Sequence, residues 1–219
     1  MGTRRRSSWR KVKDTLAFPL RAVTLFHQDR WGLTSLASER FDYVSRCVRG
    51  RCLDVGCGPH NRLVNEWLDG QGSGIDVYAY EGLTEEHIVK DIRHFPFPDE
   101  SFMTATFIAN LNHVPRPLRD VELAEAFRVL MPGGNIIVTM GNPAAELLVH
   151  KVVALRDRIF GTRDDMDGER GMEEEEEYYL LDREIASLLA RAGFIGIRKK
   201  RFWTQWALNH LLMADKPAL

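Results

Sequence analysis

The sequence predicts an α/β fold: a doubly wound, mostly parallel seven-stranded sheet that ends in a C-terminal antiparallel hairpin, the whole forming a three-layer sandwich. Three observations carry this reading. Short apolar runs alternate with segments of helical period, as in β-α-β units of a parallel sheet. The first run, 51–55 (RCLDV), is closed by Gly56-Cys57-Gly58-Pro59, a turn that leads a buried strand into a helix. Two further segments, 194–203 and 211–215, follow the last helical segment at hairpin spacing.

In chain order, residues 1–48 read as a basic, helical N-terminal extension. It has a basic stretch up to about Phe26, a break at Asp29-Arg30-Trp31-Gly32 and a helix over 35–48. Residues 49–219 form the main domain. Strands are predicted over 51–55, 74–78, 87–91, 102–109 and 136–139, with a short helix over 61–68 after the first. Pro117 opens a longer helix whose Leu123, Ala124, Phe127 and Leu130 share one face before Pro132-Gly133-Gly134 stops it. A final helix runs from Asp182 to Gly193. Between strand and helix, 142–180 is an insertion far longer than the roughly 2–6 residues usual in such connections, and loops of that length tend to be functional.

Composition agrees with a folded chain of one domain plus an extension: 219 residues, 44% hydrophobic and 28% charged. Thirty basic and 31 acidic residues leave a formal charge of -1, so no long-range field draws a polyanion and nucleic acid is an unfavoured partner. The three cysteines, Cys47, Cys52 and Cys57, are spaced five apart, which fits neither a disulfide framework nor a zinc site, and no metal is expected. No apolar run approaches membrane-spanning length, and Pro19 and Arg21 interrupt the run behind the basic start; a cytoplasmic protein is the expectation.

In an open parallel sheet, ligands sit beyond the carboxyl ends of the strands. That crevice is lined here by the turn 54–61, by Asp76 and Asp91, and by the segment 109–113. The turn lacks the third glycine of a dinucleotide-binding fingerprint, since Asn61 stands there, and the Gly-Lys-Ser/Thr of a phosphate-binding loop is absent.

The stretch Asp54-Val55-Gly56-Cys57-Gly58-Pro59-His60 instead resembles the first motif of class I methyltransferases that use S-adenosylmethionine, of the type 11-like, Rossmann-like kind. His60 replaces the last glycine of that pattern. Asp76 matches the family's acid at the end of the second strand. Asp91, followed by Phe95-Pro96-Phe97-Pro98-Asp99-Glu100-Ser101-Phe102, matches a further motif in which Met103 replaces an aspartate. Arg128-Val129-Leu130-Met131-Pro132-Gly133-Gly134 matches the turn before the fifth strand.

The resemblance implies S-adenosylmethionine as cofactor and S-adenosylhomocysteine as product. It implies cofactor contacts from Asp54, Gly56, Cys57, Gly58, His60, Asp76, Val77, Asp91, Ile92 and Ala109. Asp54 would orient the turn and face the methionine amino group, Asp76 would accept from both ribose hydroxyls, and Asp91 with Ile92 would read the adenine edge. The ligand's chemistry fits, because a sulfonium nucleoside with a diol calls for carboxylates, not a phosphate cradle.

Methyl transfer is an in-line displacement that depends mainly on alignment, and a base is needed only when the acceptor must lose a proton. No catalytic residue is therefore assigned. By resemblance, His113 faces the acceptor side. The leading reading is methyl transfer to a small molecule. Methylation of RNA or protein is an alternative weakened by the lack of an Asn-Pro-Pro-Tyr/Phe motif after the fourth strand. A binding or scaffold protein without transfer activity is another. The basic start, with Trp9, Leu16, Phe18 and Leu20, suits peripheral contact with an anionic membrane or a nucleic-acid backbone, or is simply a frayed tail.

Overall fold

The computed structural model describes residues 7–25, 28–142 and 180–218. Nearly all of the expected insertion falls outside these residues, including the helical stripe from Leu148 to Ile159 and the acidic run Glu173 to Glu177.

Among the described residues, six strands form one sheet, in the order β2-β1-β3-β4-β6-β5. They are β1 (Cys52–Val55), β2 (Gly72–Ile75), β3 (Phe102–Ile108), β4 (Leu130–Gly141), β5 (Ile195–Arg201) and β6 (Asn209–Asp215). The first four run parallel; β6 is antiparallel to β4 and β5 to β6. The expected α/β architecture and terminal hairpin are present.

Among the described residues the sheet has six strands, and the seventh that the sequence predicts, over 87–91, is not formed. Segment 87–91 contributes a single parallel bridge, Asp76 to Ile88, outside the sheet's edge strand. A tight helical turn, Glu85–His87, runs straight into this segment, with the side chains of Thr84 and His87 capping each other's backbone. The chain is thus coiled until one residue before the bridge, and too little extended length remains for a ladder.

Alternation along the strands divides the core into two layers. Leu53 and Val55 of β1, with Ile136 and Val138 of β4, face α4 (Arg119–Val129) and α5 (Asp182–Arg191), where Leu123, Ala126, Ile185 and Leu189 are buried. Cys52 and Ile137 face the opposite way, against Val44 of α3 (Leu36–Ser45) and against Leu63 and Trp67 of a π-helical turn, Leu63–Trp67. Helices on both faces of one sheet make the three layers. Ser35 starts α3 by accepting from the Ser38 N–H at 3.1 Å.

The amino-terminal helices α1 (Ser8–Leu16) and α2 (Phe18–Thr24) pack on the connection between β5 and β6. Phe18 and Ala22 meet Leu36 and Leu208. Beneath them the fully buried Arg21 donates to the Thr34 carbonyl at 2.6 Å and to the Asp14 carbonyl at 2.8 Å, and it pairs with the buried Glu39. Glu39 also accepts from Thr204 and Gln205. Every charge in this network is held by several partners, the condition under which buried ions are tolerated.

Candidate functional site

Register places the site. Asp54 of β1 lies opposite Gly74 of β2 and Thr106 of β3, so the three carboxyl ends emerge side by side. The chain leaves β1 through Gly56 and Cys57, whose N–H groups both donate to the Ile75 carbonyl, at 2.8 and 3.1 Å. The turn is thereby tied to the end of β2.

Gly56 has φ +71°, and a Cβ added there would come within 2.2 Å of the Asn110 carboxamide. Asn110 in turn donates to the Val55 carbonyl at 3.2 Å. A side-chain-free, left-handed position is what lets the loop after β3 close over the loop after β1. The preceding residue, Ala109, also takes a left-handed conformation, at φ +49°, and its N–H donates to Thr139 Oγ1 at 2.9 Å.

Asp76 is nearly buried, immediately past β2. One carboxylate oxygen accepts from the Gly58 N–H and the other from the Tyr78 N–H, each at 3.0 Å. The acid therefore holds both flanking loops at once. Val77 and Tyr78 beside it are exposed.

Asp54 lies deeper. It shares the Cys52 face of β1, is 1% exposed and accepts from Thr106 Oγ1 at 2.6 Å. Burial pushes its carboxyl up to about 7; the Thr106 hydroxyl works against this and the charge of Asp76 adds to it. Burial likewise raises the Cys57 thiol, and both aspartates reinforce the shift. Cys57 is thus an inert neutral wall, not a nucleophile.

His60 occupies the position of the family's final glycine and adopts that glycine's backbone: φ is +61° here and +45° at Asn61. Its N–H donates to the Glu81 carbonyl at 2.8 Å, and its ring lies so close to Gly82 that a Cβ there would meet Nδ1 at 2.2 Å. His60 thus fastens the 78–84 loop onto the turn.

The remaining expected residues are looser. Asp91 is exposed and accepts from the Arg93 N–H at 3.0 Å within its own turn, while the partly buried Ile92 packs on the main core. His113 is half-buried and its N–H donates to the Asn110 carbonyl at 2.8 Å, closing the turn after β3. The structure therefore places Asp54, Gly56, Gly58, Asp76 and the 109–113 turn at the adjoining carboxyl ends of β1, β2 and β3, whereas the hydrogen bond of Asp91 stays within its own turn.

Two residues join the site that the sequence did not single out. Asn110 is one. Glu122 of α4 is the other: it is 3% exposed and its Oε2 has no hydrogen-bond partner among the described residues. Burial pushes Glu122 up to about 8, and the charge of Asp76 contributes. It falls on the same helix face as Ala126 and Val129, a pattern that could have drawn attention as an acid within an apolar stripe. Among the described residues, no group of three or more His, Cys, Asp or Glu could hold a metal ion, and no helix is long and apolar enough to cross a membrane.

Residues 53–138 match the family model of the methyltransferase domain. That stretch is similar to a methyltransferase domain, and the α/β fold is like that of solved S-adenosylmethionine-dependent methyltransferases. Among curated proteins the chain is similar to demethylmenaquinone methyltransferase of Chlamydia trachomatis, 36% identical over 70 residues. That stretch covers only 30% of this chain and 30% of that protein. Among solved structures it is similar to an S-adenosylmethionine-dependent methyltransferase of Methanosarcina mazei, at 23% identity and TM-score 0.54 over 81% of this chain and 98% of that one. It is also similar to the 1,6-didemethyltoxoflavin-N1-methyltransferase of Burkholderia thailandensis, solved with 1,6-didemethyltoxoflavin and S-adenosylhomocysteine: 16% identity and TM-score 0.56 over 81% of this chain and 78% of that one. These two likenesses concern the fold.

Proposed function

We propose that this protein transfers a methyl group from S-adenosylmethionine to a small-molecule acceptor by in-line displacement. The observation that carries the reading is the bond from the Gly58 N–H to Asp76. It joins the glycine turn after the first strand to the acid after the second, within a domain of this family. The residues fit the cofactor: a built Cβ at Gly58 meets no atom within 4 Å, so the turn presents bare backbone. Each oxygen of Asp76 holds one backbone N–H and keeps a lone pair for a hydroxyl.

In this reading Asp76 binds the ribose diol and Asp54 steadies the turn from beneath, while Cys57, His60, Val77 and Ala109 line the cofactor. Asp91 and Ile92 read the base. When bound, S-adenosylmethionine supplies a methyl group on a sulfonium. The chain's own contribution is alignment and exclusion of water. His113, beside Asn110 after β3, faces the acceptor.

A small acceptor is favoured by the substrates in the names of the Chlamydia and Burkholderia proteins and by the near-zero net charge. The domain extends over 49–219, with 1–48 as an extension and 142–180 as an insertion near the acceptor.

Calorimetry with S-adenosylhomocysteine tests the reading. Binding is expected for the intact protein and loss of it for Asp76→Ala; an intact protein that gives no heat overturns the proposal. Labelled S-adenosylmethionine offered with small-molecule extracts, RNA and protein then separates the acceptor classes.

A further inference from the structure

Helix α1 is mounted with its apolar side outward. Trp9, Val12 and Leu16 lie three and four residues apart, on one stripe, and are 68%, 48% and 77% exposed; Leu20 of α2 is 50% exposed. The one fully buried residue of α1 is an acid, Asp14. A helix at the surface of a globular protein normally does the reverse.

The inversion is enforced by hydrogen bonds. Asp14 accepts from the Thr34 N–H at 2.9 Å, Arg10 donates to Thr34 Oγ1 and to Asp29, both at 3.0 Å, and Trp206 donates its indole N–H to the Thr15 carbonyl at 2.9 Å. These contacts grip the helix by its polar side and fix its rotation. Trp206 is itself 53% exposed and stacks at an angle on Phe18, with ring centroids 5.4 Å apart, so it extends the apolar surface past the end of α1.

Charge identifies the occupant. The helix carries Arg10, Lys11 and Lys13 and no acid other than the buried Asp14, with Lys13 5.6 Å from the ring of Trp9. The sequence just ahead adds Arg4, Arg5 and Arg6. An apolar stripe with tryptophan at its margin and a basic border is the chemistry of a helix lying in the interface of an anionic bilayer. Nucleic acid would be met by the charges but not by exposed leucine and valine.

We propose that α1, with Leu20 and Trp206, is a peripheral docking surface for anionic lipid membranes. The test is co-sedimentation of the full chain with phosphatidylcholine vesicles, with and without phosphatidylglycerol. Strong partition is expected only when phosphatidylglycerol is present, and it should weaken as salt is raised. Lys11→Gln/Lys13→Gln should reduce binding about 30-fold, at roughly five-fold per charge removed. Trp9→Ser/Leu16→Ser should reduce it on the order of 100-fold by removing two inserted side chains. Because Trp9 and Leu16 touch water in the free protein, the thermal midpoint of this variant should be unchanged. Three results overturn the proposal: no partition into either vesicle, partition indifferent to both double variants, or a dimer by light scattering that Trp9→Ser/Leu16→Ser converts to monomer without any vesicle binding.

Discussion

Asp76 and the backbone of Gly58 are 3.0 Å apart, a hydrogen bond that spans from the end of one strand to the turn following its neighbour. Replacing Asp76 by Ala removes this bond, the matching bond from the Tyr78 N–H and the proposed diol acceptor together. S-adenosylhomocysteine affinity is expected to fall roughly 100-fold, the scale of losing charge-assisted hydrogen bonds. Asp76→Asn, which keeps one carbonyl acceptor, should fall between Ala and the native residue. Titration calorimetry on the three proteins checks the order.

Gly56→Ala should be destabilised by about 2–4 kcal/mol, because the new methyl group collides with Asn110 and the residue must remain left-handed. Combining it with Asn110→Gly removes the collision but not the backbone cost. Thermal melts of the double variant should therefore recover only part of the loss.

The stability contributed by Asp54 and Glu122 should decline as pH rises from about 4 to about 8. Unfolded, Asp54 and Glu122 have their ordinary values of 3.8 and 4.5; folded, they stand at about 7 and about 8. Between those values the folded protein retains protons that the unfolded chain releases, so the contribution is full below the unfolded values and lost as pH climbs through the folded ones. Glu122→Gln should flatten this slope. Near pH 8 it should exceed the native protein by on the order of a few kcal/mol. Urea melts across the range decide it.

Arg21→Met leaves Glu39 buried without its cation and should cost roughly 3–5 kcal/mol. Adding Glu39→Gln neutralises the stranded acid while keeping an acceptor for Thr204 and Gln205. The double variant should regain much of the lost stability in denaturant titration, giving a clear positive coupling.

The parts legible in the sequence are those encoded locally. β1 and its turn are marked by an apolar run meeting two glycines, and α4 by a proline start, an apolar face and a Pro-Gly-Gly stop. Segment 87–91 reads as a strand because Ile88 and Val89 are β-branched, yet the helical turn that precedes it depends on the Thr84–His87 cap, a pairing that apolar patterning does not reveal. Asn110 and Glu122 were illegible for a different reason: their roles come from what the fold lays against them, a glycine fifty-four residues earlier in one case and an apolar helix–sheet layer in the other. The outward face of α1 reversed the ordinary meaning of an amphipathic stripe, since Asp14 is bound by Thr34 and Arg21, residues outside its own helix.

The strand order β4-β6-β5 also has a consequence for biosynthesis. β5 leaves the ribosome before β6, but among the described residues its neighbour in the sheet is β6. Among the described residues, the flank of β4 that β6 covers gains this partner only when residues 209–215 emerge. An unpaired strand edge is a template for any passing extended peptide, so pairing with β6 removes that liability from β4 only at the end of synthesis, several seconds after β4 itself is made at ordinary elongation rates.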